Sequence, residues 1–108
     1  MLYSPSRKTK KMRVNFDKKH YTKAERIFGE ILKRNRIPFR AKVVVQGREI
    51  DFLLREKIAV EIGNHSQDKL KNKLLLESGL SLLFISNKEL YESPSLVEKH
   101  LLENWLLI

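Results

Sequence analysis

The sequence predicts one α/β domain in which helices flank a small mixed β-sheet. Hydrophobic periodicity along the chain gives the order helix, three strands, helix, strand, helix. Short breaks between the first three strands favour an antiparallel meander, whereas a strand, a crossover helix and a further strand imply a parallel pair. At 108 residues the chain can bury one core but not two.

The first helix begins at a capping box formed by Thr22 and Glu25. The threonine hydroxyl can accept from the amide three residues on, while the glutamate side chain reaches back to the cap. Asn35 and Pro38 predict an end near residue 35, because the residue before proline avoids the α region. The apolar stripe of this helix consists of Ala24, Ile27, Phe28, Ile31 and Leu32.

Three strands should follow this helix. Residues 39–46 are rich in β-forming side chains, and Gln46-Gly47 is a turn signal before residues 48–54. Alternation in the second strand predicts that Ile50 shares a face with Phe52 and Leu54, opposite Glu49, Asp51 and Leu53. Residues 57–62 are apolar on both faces except at Glu61, which indicates a strand near the middle of the sheet.

The second helix is predicted to begin at Ser66 as N-cap and to run to about residue 77. Leu70, Leu74 and Leu75 are its candidate buried residues, and Ser78-Gly79 should end it.

Residues 81–85 predict the fourth strand, and Ser93-Pro94 places a cap and a proline where the last helix should start. The apolar residues of that helix are Leu96, Val97, Leu101, Leu102 and Trp105.

The charge of the chain favours a polyanionic partner. Lys and Arg number 22 against 13 Asp and Glu, so the formal charge is +9. Residues 1–21 are strongly basic and lack helical or strand periodicity, which predicts a flexible arm before a domain over residues 22–108. The arm is either a phosphate-binding tail or a solvated terminus. Its proposed DNA contacts are Arg7, Lys8, Lys10, Lys11 and Arg13.

Several classes of protein are disfavoured by composition. No apolar run approaches the roughly 18 residues of a membrane span, and the N-terminus lacks the apolar segment of a secretory signal. The absence of cysteine excludes disulfides and thiolate zinc sites and fits a reducing cytoplasm. Any metal must therefore be bound by oxygen or imidazole.

Asp51 and Glu61 are the first candidates for chemistry, since they lie on consecutive strands joined by a short break. Side chains near each other across such a pair are roughly 4.5 to 8 Å apart. Two carboxylates that close repel unless a cation lies between them. Mg²⁺ suits such a site, because it takes one or two carboxylates and completes its shell with water and phosphate.

A structural explanation is also open for these acids. Asp51 could line a solvated face beside arginines, and Glu61 could end a strand, although an acid inside an apolar strand needs a partner. Glu25 is explained by the capping box alone. His65 is common after a turn, but its spacing from Asp68 would place both on one helical face.

Together these residues resemble the PD-(D/E)xK nuclease superfamily, and more closely its very-short-patch repair endonuclease-like branch. The motifs that carry the resemblance are Ala24-Glu25-Arg26, Arg48-Glu-Ile-Asp51, Val60-Glu61-Ile62, His65, Asp68, Lys71 and Ser78-Gly79 through Asn87-Lys-Glu89. A related homing-endonuclease group uses glutamate, aspartate, histidine and aspartate in the order of Glu25, Asp51, His65 and Asp68.

The resemblance implies a restriction-endonuclease-like αβββαβ core with an extra C-terminal helix. It also implies a metal-dependent DNA endonuclease of repair or homing type that nicks its substrate. The chain departs from the superfamily at Gly63, where a lysine is usual, and His65, Lys69 or Lys71 would then supply the missing function.

The roles implied by the resemblance follow the motifs. Asp51 would bind Mg²⁺, or Mn²⁺ in its place, with Glu61 or the backbone carbonyl of Ile62. Glu25 would bind the metal through water. His65, held by Asp68, would orient or deprotonate the attacking water. The DNA backbone would be bound by Lys69, Lys71 and Lys73.

Two other functions are compatible with the sequence. A nucleic-acid-binding module without activity would explain the charge, but clustered acids oppose phosphate binding unless a metal is present. A structural subunit would explain the apolar ending from Trp105, which could form a homodimer surface through the C-terminal helix.

Overall fold

A computed structural model describes residues 15–63 and 68–106 of the chain. Its helices are α1 (Lys23–Arg34), α2 (Lys69–Glu77), α3 (Asn87–Glu92) and α4 (Pro94–His100), the last followed by a π-helical segment (Leu101–Trp105). Its strands are β1 (Phe39–Val45), β2 (Arg48–Leu54), β3 (Ile58–Ile62) and β4 (Ser81–Ile85). The predicted α/β class with a mixed sheet is confirmed.

The four strands lie in the sheet in chain order. β1 pairs with β2 and β2 with β3 in antiparallel directions, whereas β3 and β4 are parallel. The first turn, Gln46-Gly47, has positive φ at both residues, which matches the twist of a tight hairpin. The predicted meander and parallel pair are therefore both present.

Helices cover the two faces of the sheet through separate hydrophobic clusters. The larger cluster joins α1, α3 and α4 to the sheet and includes Phe28, Phe52 and Val60. The smaller cluster joins α2 to the other face and consists of Ile50, Leu53, Ala59 and Leu75. The sheet is therefore the middle of three layers.

The predicted alternation of β2 is wrong at Ile50. Ile50 packs with Leu53 in the smaller cluster, whereas Phe52 and Leu54 belong to the larger one. The side chains of β1 switch faces of the sheet at the same level, since Ala41 packs on the larger cluster and Val43 packs on the smaller one. Lys42 lies between those two residues with φ of 55°, so backbone distortion resets the period of two.

The start and buried face of α2 also differ from prediction. Asp68 is the N-cap and accepts from the Lys71 amide at 2.9 Å, so the helix begins at Lys69; the predicted cap, Ser66, lies outside the described residues. Leu75 is buried and Leu70 is 55% exposed. Lys71 and Leu75 lie four residues apart and face the sheet, which turns Leu70 toward solvent.

The C-terminal part contains a helix that periodicity missed. α3 is six residues long and begins with a capping box between Ser86 and Glu89, too short for a hydrophobic stripe to reveal. Leu96, one of the apolar residues of the predicted last helix, is 65% exposed on α4. Trp105 and Leu106 pack against the chain's own core, while residues 107 and 108 lie outside the described range.

The predicted basic arm over residues 1–21 lies only partly within the described residues. Residues 1–14 of the predicted arm are outside the described ranges, and within residues 15–21 the Phe16 ring packs against the core beside Phe39 and Phe52.

Every helix in the described part of the chain is too short or too polar to traverse a lipid bilayer.

The contact between Phe16 and Gly29 gives a test of this packing. A Cβ on Gly29 would lie 2.5 Å from the Phe16 ring, so Gly29→Ala should destabilise the domain despite the roughly 1 kcal/mol by which alanine favours a helix over glycine. In a Phe16→Ala background the same change should become stabilising. Urea unfolding of the four proteins measures this change of sign, and equal effects in both backgrounds would contradict the packing.

Candidate active site

Charged residues meet on one rung that crosses three strands. The β1–β2 register runs from Ala41 opposite Phe52 to Val43 opposite Ile50, which places Lys42 opposite Asp51. The β2–β3 register ends with Phe52 opposite Val60, and the residues that follow are Asp51 on β2 and Glu61 on β3. We call the three residues Lys42, Asp51 and Glu61 the charged rung.

Asp51, at the centre of the charged rung, is directed toward β3. The Ile62 amide donates to Asp51 Oδ2 at 2.8 Å, so the carboxylate is bound to the residue beside Glu61. The predicted proximity of Asp51 to the Glu61 segment is therefore present, and the Asp51 side chain does not face open solvent away from it.

Glu61 lies on the face of the sheet that α2 covers. It is only 3% exposed, and Lys71 Nζ donates to Glu61 Oε1 at 2.9 Å. The lysine side chain is itself 14% exposed. A buried acid in an apolar strand requires such a cation, because removing a lone charge from water is costly.

Glu25 approaches the other end of the charged rung from α1. Its Oε1 accepts from the Thr22 amide at 2.9 Å, and its amide donates to the Thr22 hydroxyl at 3.1 Å, so the predicted capping box is confirmed. Its Oε2 accepts from Lys42 Nζ at 3.0 Å. Capping therefore accounts for only one of the two carboxylate oxygens.

Lys42 is the functional candidate that sequence reasoning missed. Burial lowers the pKa of Lys42, but the hydrogen bond to Glu25 and the charges of Glu25, Asp51 and Glu49 outweigh it, so the pKa lies above its ordinary value. In the sequence Lys42 is one lysine in a β-rich run. Its position opposite Asp51 would have been the available signal, once the hairpin register was assigned.

Two further predicted site residues, His65 and Asp68, follow β3 in the sequence. His65 is among the residues that the structure does not describe. Asp68 is exposed and caps α2 through the Lys71 amide. Gly63 has φ of 102°, which favours glycine and accounts physically for the absence of lysine there.

The predicted DNA-contacting lysines of α2 are not equivalent. Lys69 and Lys73 are exposed, whereas the Lys71 ammonium is bound to Glu61. The predicted contacts in the arm, Arg7, Lys8, Lys10, Lys11 and Arg13, lie outside the described ranges.

The donor atoms of the charged rung fit a hard divalent cation. Asp51 and Glu61 supply carboxylate oxygens from adjacent strands, and Ile62 adds a backbone carbonyl on β3. Across residues 15–63 and 68–106, no group of three or more His, Asp or Glu side chains could hold a metal. Two carboxylates still suffice for Mg²⁺, which keeps several of its waters.

Comparison with known proteins identifies a structural relative. No protein-family model and no curated protein sequence matches the chain. Among solved structures, the chain is similar to the catalytic domain of the homing endonuclease I-Bth0305I, with a TM-score of 0.68 and 28% identity. The match covers 80% of this chain and 96% of that one. The chain therefore has a nuclease-like α/β fold.

The buried pair on α2 and β3 predicts a specific pattern of stability. Lys71→Met removes the cation beside a buried carboxylate and should lower the free energy of unfolding by about 3–5 kcal/mol. Glu61→Gln in the same chain should restore most of the loss, because no buried charge then remains at that position. Chemical denaturation of the single and double variants measures both effects.

Lys73→Met is the matched control, since Lys73 is exposed on the same helix and its loss should change stability by less than about 0.5 kcal/mol. Equal stabilities of the Lys71 and Lys73 variants would show that the contact between Lys71 and Glu61 does not stabilise the domain.

Proposed function

We propose that the protein is a metal-dependent endonuclease that hydrolyses DNA phosphodiester bonds, of the repair or homing type. One observation carries the proposal: Asp51 Oδ2 accepts from the amide of Ile62, the residue next to Glu61, so acids on two adjacent strands lie close together in a fold shared with an endonuclease catalytic domain. Neighbouring carboxylates on a basic chain suit a cation-assisted reaction of a polyanion, because the cation offsets their repulsion of phosphate.

The metal in this proposal is Mg²⁺, with Mn²⁺ as a substitute. Asp51 would hold it together with Glu61 or the carbonyl of Ile62. When bound, a divalent cation lowers the pKa of water and offsets charge that develops on phosphate. The Ile62 amide supports this role of Asp51, because the hydrogen bond of 2.8 Å orients the carboxylate toward β3 before any ligand arrives.

The remaining proposed roles belong to residues around the charged rung. Glu25, 7% exposed at the start of α1, would contribute through water. His65 would orient the attacking water or take its proton, and Asp68 would hold the imidazole. The capping bond of Asp68 to the Lys71 amide uses Oδ1, and the other carboxylate oxygen can accept from a histidine.

Binding of the DNA backbone is assigned to the exposed cations. Lys69 and Lys73 lie on the same helix as Lys71, whose ammonium faces the charged rung, and the basic arm would add contacts at longer range. A formal charge of +9 supports this assignment, since phosphate contacts provide affinity independent of sequence.

The finer classification is also a proposal. The order of Glu25, Asp51, His65 and Asp68 supports assigning the chain to the very-short-patch repair-like nucleases and the related homing group of the PD-(D/E)xK superfamily. A monomer of this size has one such site, so it would cut one strand at a time.

The proposal predicts nicking of supercoiled plasmid in Mg²⁺ or Mn²⁺ and none in chelator. Asp51→Asn should reduce the rate at least about hundredfold, because it removes a metal ligand without changing the size of the side chain. Agarose-gel assays of plasmid, branched and mismatched duplexes measure the rates.

Glu49→Gln is the matched control for Asp51→Asn. Glu49 is an exposed acid on the same strand, and its replacement removes the same charge outside the proposed metal ligands. The Glu49 variant should cleave at a rate close to wild type. Metal-dependent nicking that survives Asp51→Asn would place the active site elsewhere, and binding without cleavage in every metal would favour a nucleic-acid-binding module.

A further inference from the structure

Lys42 is the cation of the charged rung and lies opposite Asp51. A DNA phosphate that approaches Asp51 and Glu61 meets two carboxylates, and a cation nearby would reduce their repulsion. The charged rung and its contacts supply two cations, Lys71 at the Glu61 end and Lys42 at the Asp51 end.

Exposure separates these two lysines. The Lys71 side chain is 14% exposed and bound to an acid that is itself buried. The Lys42 side chain is 31% exposed, so it is the more exposed of the two. An ammonium has three N–H donors, and the contact with Glu25 Oε2 uses one of them.

The backbone of Lys42 adds a second observation. Its φ of 55° in the middle of β1 is unfavourable for a residue with a Cβ. The distortion lies at the level where the side chains of β1 and β2 switch from one face of the sheet to the other. A regular strand would direct residue 42 by simple alternation, whereas here Lys42 reaches Glu25 on α1.

The partners of Lys42 hold its ammonium in place. Glu25 is oriented by the capping box, so its Oε2 is a fixed acceptor for Lys42. The Tyr21 ring lies 5.4 Å from Lys42 Nζ, within the range of a cation–π contact. A cation held in this way loses little rotational freedom when it binds a further anion.

We propose that Lys42 donates to a non-bridging oxygen of a DNA phosphate bound beside Asp51, and that Glu25 is the positioning residue that holds it. This role rests on the proposed function, which supplies the phosphodiester. It gives Glu25 a task additional to any contact through water, because the cap uses one carboxylate oxygen and Lys42 the other.

The first test measures the affinity of a fluorescent DNA duplex in chelator over a range of salt concentrations. Lys42→Met should raise Kd about tenfold, as expected for one lost charge-assisted hydrogen bond. It should also reduce the slope of log K against log salt by about 0.9, the value for one phosphate contact. Arg40→Met is the matched control, because Arg40 is an exposed cation on the same strand paired with Glu56. Its affinity and salt slope should stay close to wild type.

A second comparison separates phosphate contact from neutralisation of Glu25. Lys42→Met leaves Glu25 buried without this cation, so Glu25→Gln and the Glu25→Gln/Lys42→Met double variant are measured beside it. The double variant should bind DNA about tenfold more weakly than Glu25→Gln. Equal affinities of these two proteins would show that Lys42 serves only to balance Glu25, and would overturn the proposal.

Cleavage rates at saturating DNA and Mg²⁺ complete the test. Lys42→Met should be slowed about hundredfold, as is typical when one charge-stabilising donor is removed, whereas Arg40→Met should cleave normally. Normal cleavage and binding by Lys42→Met would overturn the role of Lys42. If wild-type protein cleaves no DNA, the proposed function fails, while the affinities in chelator still decide whether Lys42 contacts phosphate.

Discussion

The proximity of two carboxylates on β2 and β3 is the constraint on which the rest of the site depends. Asp51 and Glu61 carry like charges on adjacent strands, and one of them is almost fully buried. Such a pair requires compensation by cations, metal or protons. The domain supplies cations from both sides: Lys71 reaches Glu61 from α2, and the charge of Lys42 on β1 acts on Asp51.

Compensation at the charged rung also explains local features of the fold. α2 turns Lys71 and Leu75 toward the sheet together, so one helical face provides both the buried cation and the apolar contact. α1 places Glu25 where it caps the helix and accepts from Lys42. Lys42 itself adopts a positive φ, although this conformation is unfavourable for a residue with a Cβ. The two buried carboxylates, Glu25 and Glu61, thus lie at the site, while the two hydrophobic clusters stabilise the domain around it.

Local patterns were sufficient for most of the fold but not for the contacts of the site. The capping box of α1, the turn at Gln46-Gly47 and the apolar run of β3 each act over a few residues, and their elements lie where predicted. Hydrophobic periodicity does not reveal the register between strands. Both the packing of Ile50 on the smaller cluster and the role of Lys42 depend on that register. Leu70 is exposed because Lys71 and Leu75 occupy the face of α2 that is directed at the sheet. The short connection between β2 and β3 allowed the sequence to predict that Asp51 lies near Glu61.

The most direct measurement of the central claim is anomalous diffraction from a crystal of the protein grown with Mn²⁺. The account predicts an anomalous peak about 2 Å from a carboxylate oxygen of Asp51, with Glu61 or the Ile62 carbonyl as a second ligand, and the loss of this peak in Asp51→Asn. A peak bound only by other acids, such as the exposed Glu49, would contradict it. So would a crystal at saturating Mn²⁺ in which Lys71 remains the counterion of Glu61 and no peak lies beside Asp51.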